Sequence, residues 1–261
     1  MAFKNPYADK LSEFPNLAFH EEQAQALKSK WSEHFSKKKI IFEIGCSNAT
    51  FLGDIAAANT DAAFVGMDWK FKILYKGAKR SHDLALKNIA LIRGKAENMT
   101  RIFAAGELDE IWIFFPDPWA KKSQLKNRLI RDSFFAECSQ VLKPGGRIHI
   151  KTDHPGYFQW MLAVLGAPQP VLPDYRAEVP AGEKGMHVKQ MLVRKPMAAA
   201  ELPPKGENAA GLFSIEKMSI DYWKEFPLAP GPRIFSNYVT LFEKGFIAQK
   251  LPVYYLSLCR R

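Results

Sequence analysis

The chain has 261 residues, enough for one large domain or for one domain that carries an insertion. A formal net charge of +10 favours an anionic partner such as nucleic acid, and 47% hydrophobic residues allow a sizeable core. No apolar run reaches the roughly 20 residues needed to cross a bilayer, and the first residues lack a signal-peptide pattern. The three cysteines have no metal spacing and argue against a disulfide framework. We therefore expect a cytoplasmic protein without membrane contact.

Residues 1–36 are expected to form an N-terminal arm, irregular over residues 1–19, followed by a helix. From residue 37 to residue 261 the chain reads as one domain in which strands and helices alternate. The predicted strands cover residues 40–45, 62–68, 89–92, 111–115 and 147–151. The predicted helices cover residues 20–36, 52–58, 70–86, 99–104, 124–142 and 157–165, the second with its cap at Asn48 or Thr50. This alternation predicts an α/β fold with a doubly wound, mostly parallel sheet.

A proline-rich stretch over residues 167–230 interrupts the alternation. We interpret it as an insertion before the last strands, with limited regular structure and a role as a lid or a substrate-facing arm. Two final strands are predicted over residues 233–244 and 252–259. The last of them is expected to pack antiparallel, either at the sheet edge or between neighbouring strands.

The strand Ile111–Phe115 is followed by Pro116-Asp117-Pro118-Trp119 and then by Lys121 and Lys122. Proline cannot continue a strand ladder, so a stiff loop is expected at the carboxyl end of a buried strand, where open α/β sheets bind ligands. A carboxylate beside an aromatic ring suits a flat base with N–H donors, and lysines suit a phosphate backbone. The alternative is a rigid connector with solvated charges.

Two acidic residues mark the ends of earlier strands. Glu43 precedes Gly45 at the end of the first strand, and Asp68 closes the second, where an acid can accept hydrogen bonds from ribose hydroxyls or cap the next helix. The turn after Gly45 lacks the G-x-G-x-x-G pattern, which argues against a dinucleotide. S-adenosylmethionine (SAM) carries no phosphate and tolerates a looser turn.

Together these motifs resemble the bacterial tRNA (guanine-N7)-methyltransferase family, of which the chain looks like a divergent member. The resemblance covers about residues 38–166 and 236–261. It rests on Phe115 to Trp119 with Lys121, Lys122, Arg128 and Leu129, and on Glu43-Ile44-Gly45, Lys151-Thr152-Asp153 and Thr240-Leu241-Phe242-Glu243. It implies a Rossmann-like, class I SAM-dependent methyltransferase that acts on guanine N7 in the variable loop of tRNA. No metal is expected, because the six histidines form no pair at ligand spacing.

The resemblance also implies roles for individual residues, with Asp117 as the catalytic residue. The cofactor residues it implies are Glu43, Gly45, Asp68, Lys95, Ala96 and Asp117. The substrate residues it implies are Lys121, Asp153, Thr240, Leu241, Phe242 and Glu243. A monomer or a homodimer would fit the family.

Three departures from the family pattern keep other functions open. The glycine-rich turn is replaced by Cys46 to Ala49, an Asp or Asn is replaced by Lys95, and residues 167–230 lengthen the chain between the last two motifs. A non-catalytic or retargeted RNA-binding relative is therefore the alternative, and an NAD-type oxidoreductase is a more distant one. Under both hypotheses that involve RNA, the methyltransferase and the RNA-binding relative, the basic run after the loop is expected to face solvent and bind phosphates. This run consists of Lys121, Lys122, Lys126, Arg128 and Arg131.

Overall fold

The computed structural model describes residues 5–181, 185–227 and 238–261, and within them eight strands form one sheet and two more form a hairpin. The strands are β1 (Ala18–His20), β2 (Lys39–Ile44), β3 (Ala62–Asp68), β4 (Ile89–Arg93), β5 (Leu108–Phe114), β6 (Leu142–Thr152), β7 (Tyr175–Ala181), β8 (Gly185–Arg194), β9 (Phe213–Ser219) and β10 (Tyr254–Arg260). The order in the large sheet is β1-β4-β3-β2-β5-β6-β10-β9. Strands β7 and β8 pair with each other in an antiparallel hairpin.

The six strands β1, β4, β3, β2, β5 and β6 pair in parallel. At the centre of the sheet, Phe42 of β2 lies opposite Val65 of β3 on one side and opposite Ile111 of β5 on the other. Strand β10 then runs antiparallel between β6 and β9. The mostly parallel fold class is confirmed, as is the antiparallel last strand, which lies between neighbours. Parallel strands need crossover connections, and helices provide them here.

The helices lie on both faces of the sheet. They are α1 (Pro6–Lys10), α2 (Glu21–Gln25), α3 (Trp31–Phe35), α4 (Thr50–Ala58), α5 (Phe71–Asp83), α6 (Met99–Ile102), α7 (Asp132–Val141), α8 (Pro155–Val164), α9 (Glu207–Leu212), α10 (Tyr222–Glu225) and α11 (Leu241–Ala248). Short 3-10 helices cover Leu11–Glu13, Ala96–Asn98, Lys122–Asn127 and Ala199–Glu201. Ile111 and Ile113 belong to one hydrophobic cluster, while Trp112 between them belongs to another, as expected for a strand buried on both faces. Among the residues described, no helix has the length and apolar character to span a bilayer.

The N-terminal arm is more regular than the sequence predicted. Pro6 begins α1, with the Asn5 side chain accepting a hydrogen bond from the Tyr7 N–H, and Ala18–His20 adds an edge strand beside β4. The single helix predicted over residues 20–36 is instead two short helices.

The interruption between those helices has a tertiary cause. Ser29 adopts a left-handed conformation (φ 67°), and the carboxylate of Glu107 accepts hydrogen bonds from the N–H groups of Ser29 and Trp31. A distant carboxylate therefore satisfies donors that a continuous helix would have used internally.

The helix predicted over residues 124–142 is also wrong in its first half, because α7 begins only at Asp132. The backbone of Ile130 binds α8 instead: its N–H donates to the Tyr157 hydroxyl (3.1 Å) and its carbonyl accepts from Trp160 Nε1 (2.8 Å). Contacts with another element hold this segment out of a helix.

The expectation of limited regular structure over residues 167–230 is wrong for the described part. It contains the β7–β8 hairpin, α9, α10 and strand β9, which completes the edge of the large sheet. The domain boundaries themselves stay a prediction. The strand predicted over residues 233–244 is also wrong where it can be checked, because α11 begins at Leu241; residues 233–237 lie outside the described part.

Candidate active site

The parallel strands β2 to β6 end at one edge of the sheet, and most of the predicted site residues follow them there. Strand β2 leads into the turn at Gly45, and β3 ends at Asp68, which is opposite Arg93 of β4. The N–H of Gly94 then donates to the carbonyl of Asp68 (3.2 Å). Strands β5 and β6 lead into the two remaining segments, the Phe115–Trp119 loop and Asp153.

The turn after β2 is built without the usual run of glycines. Gly45 has φ 80°, and the N–H groups of Gly45 and Cys46 both donate to the carbonyl of Met67. Ser47 (φ 52°) and Ala49 (φ 49°) also adopt left-handed conformations, which cost a non-glycine residue roughly 1 kcal/mol or more each. Ala49 is the residue before α4 and has no capping side chain, but the predicted contribution of Asn48 is present, because its side chain accepts a hydrogen bond from the Thr50 N–H (3.3 Å).

Glycines on neighbouring elements make room for this turn. A Cβ atom on Gly66 of β3 would lie 2.8 Å from the Sγ atom of Cys46. A Cβ atom on Gly77 of α5 would lie 2.8 Å from the backbone oxygen of Asn48. The sequence reasoning missed both glycines, because each matters through a contact distant in sequence.

Asp68 organises the same turn. One carboxylate oxygen accepts a hydrogen bond from the N–H of Ser47 (3.1 Å) and the other accepts from the N–H of Lys70 (2.9 Å). Lys70 is the residue that caps α5, so Asp68 joins the glycine turn to the start of that helix. Each oxygen keeps a lone pair for another donor.

Glu43 lies beneath the turn and is buried. Its Oε2 atom has no hydrogen-bond partner within the described part of the chain. Burial, and secondarily the negative charge of Asp68, raise the pKa of Glu43 from 4.5 to about 8. A buried carboxyl oxygen without a partner is a place where a cationic or N–H-bearing group would fit, and such a group would favour the ionised form.

The segment after β4 contains Lys95, which stands where the family pattern has an Asp or Asn. Its side chain is exposed, and Lys95 precedes the 3-10 helix Ala96–Asn98. Ala96 is half-buried and packs against the core. The lysine therefore extends to solvent rather than filling the edge.

The proline loop after β5 is sharply bent. Phe115 (φ 55°) and Trp119 (φ 42°) both have left-handed backbones, and the Phe115 N–H donates to the Lys151 carbonyl (2.8 Å). Asp117 lies between them and is exposed at the edge. Lys121 is exposed just beyond the loop.

Four members of the predicted basic run are exposed, but the fifth is not. Lys121, Lys122, Lys126 and Arg131 face solvent, whereas only 1% of Arg128 is accessible. Burial lowers the pKa of Arg128 to about 10, which leaves it protonated at neutral pH. The prediction that Arg128 faces solvent is wrong, because Tyr157 and Trp160 of α8 cover it.

The Lys151 motif and the Thr240–Glu243 motif meet in a buried ion pair. Lys151 Nζ lies 2.8 Å from Glu243 Oε1, and both side chains are almost completely buried. The ammonium also lies over the rings of Tyr222 (4.0 Å to the centroid) and Trp223 (4.6 Å). Burial lowers the pKa of Lys151, and the charge of Glu243 opposes that shift.

Thr240 and Glu243 also form a capping box at the start of α11. The Glu243 N–H donates to Thr240 Oγ1 (3.3 Å), and the Thr240 N–H donates to Glu243 Oε2 (2.8 Å). Leu241 is the first residue of the helix. Phe242 is 46% exposed, and its ring is stacked 6.1 Å from that of Phe115. Phe242 therefore presents a free aromatic surface beside the proline loop.

Asp153 is buried and engaged by the hairpin. Its Oδ2 atom accepts a hydrogen bond from Arg194 Nε (2.6 Å), and its carbonyl accepts from the Tyr175 hydroxyl. Sequence reasoning missed Arg194, Tyr222 and Trp223, since no motif or spacing connected them to the site. The described residues contain no group of histidine, cysteine and acidic side chains that could hold a metal.

Two methyltransferases are among the solved structures that share this architecture. An antibiotic-related methyltransferase aligns with a TM-score of 0.52 at 13% identity, covering 88% of this chain and 92% of that chain. The 16S rRNA methyltransferase KamB aligns with a TM-score of 0.51 at 12% identity, covering 93% and 94%. The fold is thus that of the Rossmann-like methyltransferases.

A family model described as "Putative methyltransferase" matches residues 37–175, more than half of the chain, and the chain belongs to this family. A tRNA (guanine-N7)-methyltransferase of Christiangramia forsetii is 38% identical over 141 residues, which are 53% of this chain and 63% of that protein. A bifunctional glycosyltransferase/methyltransferase of Fusobacterium nucleatum subsp. nucleatum is 32% identical over 163 residues, 62% of this chain and 25% of that protein. The chain thus matches less than two thirds of either relative, and the resemblance noted in the motifs is confirmed as membership of this methyltransferase family.

Proposed function

We propose that this chain transfers a methyl group from SAM to N7 of a guanine in tRNA. The observation that carries the proposal is the convergence of the Gly45 turn, Asp68 and the Asp117 loop at one edge of a methyltransferase sheet. The similarity of this chain in sequence to a tRNA (guanine-N7)-methyltransferase supports the choice of substrate. Monomer or homodimer stays a prediction.

The residues at the Gly45 side of the edge fit SAM. The orphaned Oε2 of buried Glu43 suits the ammonium group of the cofactor, and the free lone pairs of Asp68 suit ribose hydroxyls. The turn at Gly45 allows close approach of the backbone, while Lys95 and Ala96 are assigned to the adenine side. When bound, SAM supplies an electrophilic methyl group on a sulfonium centre.

Guanine N7 has a free lone pair, so no proton must be removed before it attacks, and alignment is the main requirement. Asp117 is exposed at the edge, where its carboxylate can accept guanine N–H groups and balance the positive charge that develops on the ring. The exposed ring of Phe242, stacked on Phe115, offers a surface for a base.

The other residues assigned to the substrate side support this arrangement. Asp153 is held by its ion pair with Arg194, while Thr240 and Glu243 hold the start of α11, the helix that carries Leu241 and Phe242, through the capping box and the Lys151 ion pair described above. Lys121 is assigned to the RNA backbone together with the other exposed members of the basic run.

RNA binding is proposed to depend strongly on salt. Lys121, Lys122, Lys126 and Arg131 are exposed in a chain of net charge +10. Each phosphate contact releases counterions, so the logarithm of affinity should fall with the logarithm of salt by about 0.7 to 0.9 per contact. A flat salt response would remove RNA as the partner.

Labelled SAM incubated with total tRNA tests the reaction, with the product base identified after nuclease digestion. The expected product is 7-methylguanosine, and a transcript with 7-deazaguanine, which lacks N7, should accept no label. SAM binding without transfer would favour a non-catalytic RNA-binding relative. Binding of NADH instead of SAM would favour an oxidoreductase.

A further inference from the structure

Arg128 holds the backbone of the proline loop. Its Nε–H donates to the carbonyl oxygen of Pro118 (2.9 Å), the residue after Asp117. At its other end, the loop is held by the Phe115 N–H bond to the Lys151 carbonyl. The short segment that carries Asp117 is therefore tied to the body of the protein on both sides.

The guanidinium of Arg128 is itself held by side chains of α8. It lies 4.8 Å from the ring centroid of Tyr157 and 4.8 Å from that of Trp160, both on α8. Its Nη1 atom lies 3.1 Å from Met197 Sδ, and the Met197 N–H donates to Gln159 of the same helix (2.7 Å). With 1% of the residue accessible, the side chain has little freedom to reach a phosphate.

We propose that Arg128 is a positioning residue, which sets the geometry of the loop and thereby of Asp117, and is not a phosphate contact. The inference rests on the proposed function for its kinetic consequences. A planar guanidinium can bond to a carbonyl while lying over two rings, and an ammonium cannot reproduce that combination. Among the arginines and lysines of residues 121–131, Arg128 is thus assigned to positioning the loop, whereas its exposed neighbours are assigned to RNA phosphates.

The kinetic test compares Arg128→Met and Arg128→Lys with Lys126→Ala and with Arg101→Met, an exposed arginine remote from the loop in sequence. In both Arg128 variants kcat for tRNA methylation should fall about tenfold or more, because misplacing a catalytic group by about 1 Å can cost a hundredfold. The KM for tRNA and the salt slope of binding should stay near those of the starting protein. Lys126→Ala should reduce the salt slope, and Arg101→Met should behave like the starting protein.

Two results would overturn the proposal. One is a salt slope lowered by about one contact in Arg128→Met with kcat unchanged, as expected for a phosphate ligand. The other is near-normal kcat in Arg128→Lys, which would mean that charge alone is sufficient. If Arg128→Met does not fold, as judged by thermal melting, Arg128→Lys decides by the same readouts.

A second measurement does not require activity. In protein labelled with 5-fluorotryptophan, the fluorine NMR signal of Trp119, assigned with Trp119→Phe, reports the loop directly. Arg128→Lys should shift or broaden this signal while leaving the melting temperature close to that of Arg101→Met. An unchanged Trp119 signal would refute the positioning role even if the unmodified protein transferred no methyl group, so failure of this inference and failure of the proposed function are distinguishable.

Discussion

Glu43→Gln should remove a pH dependence from the stability of the protein. The pKa of Glu43 is raised from 4.5 to about 8 in the folded chain, mainly by burial. Because the folded pKa lies above the unfolded one, the contribution to stability is fully present below pH 4.5 and is lost as pH rises to about 8. A shift of about 3.5 units corresponds to roughly 5 kcal/mol, and the side chain is too buried for solvent screening to reduce it much.

Urea denaturation at several pH values between 5 and 8.5 measures this loss. The free energy of unfolding of the starting protein should fall with pH relative to that of Glu43→Gln, by about 3 kcal/mol at pH 7. The glutamine amide adds a buried donor, whose cost offsets the curve equally at all pH values. Glu33→Gln, at an exposed position, is the control and should track the starting protein. Parallel curves for the starting protein and Glu43→Gln would refute the reasoning.

The same group links cofactor binding to protons. An ammonium placed beside Glu43 would favour its ionised form, so SAM binding near pH 7 should release a proton. Calorimetry in two buffers with different ionisation enthalpies should detect this release, and Glu43→Gln should abolish it and weaken binding. Release that persists in the variant would assign the proton to another group.

Three further changes test other parts of the site. Asp117→Asn should slow single-turnover methyl transfer about tenfold to a hundredfold without changing the melting temperature, because the loss of a charge-assisted hydrogen bond costs roughly 1.5–3 kcal/mol; an unchanged rate would remove its catalytic role. Gly77→Ala should weaken SAM binding in calorimetry, because its Cβ would lie 2.8 Å from the backbone of the turn after β2, whereas Gly211→Ala meets no atom within 4 Å and serves as the control; equal affinities would contradict this. Glu243→Gln should destabilise the protein by about 3–5 kcal/mol in urea by leaving Lys151 buried and unpaired, and a loss below about 1 kcal/mol would contradict the ion pair.

The parallel part of the sheet was predictable because its strands are buried on both faces. A strand such as Ile111–Phe114 then appears as an unbroken apolar run, and the turn or acid that follows it marks the carboxyl edge. Residues at that edge could be predicted as neighbours from topology alone. Helix ends and short edge strands could not, because contacts such as that of Glu107 with residues 29–31 decide them.

The strand predicted over the C-terminal motif is wrong, although the sequence of the motif contains a capping box. Thr240 and Glu243 have the spacing of that box and precede an apolar run, which is a helix-start signal. The alternation of strands and helices along the chain favours a strand at this point, so the sequence carries two conflicting signals here. The second role of Glu243, its ion pair with Lys151, could not be deduced, because it depends on the fold.

Because Glu243 takes part in both the capping box and the ion pair, few of its hydrogen-bond acceptor positions remain for a substrate. Glu243 Oε1 accepts hydrogen bonds from Lys151 Nζ and from Trp223 Nε1 (3.2 Å), and Oε2 accepts from the Thr240 N–H. With three of about four acceptor positions used and no exposed surface, the carboxylate can orient the start of α11 but has little capacity left for a base. Phe242 of this motif is exposed beside the loop of Asp117, so under the proposed function we expect the motif to meet a base with the face of this ring, and the charge to come from Asp117.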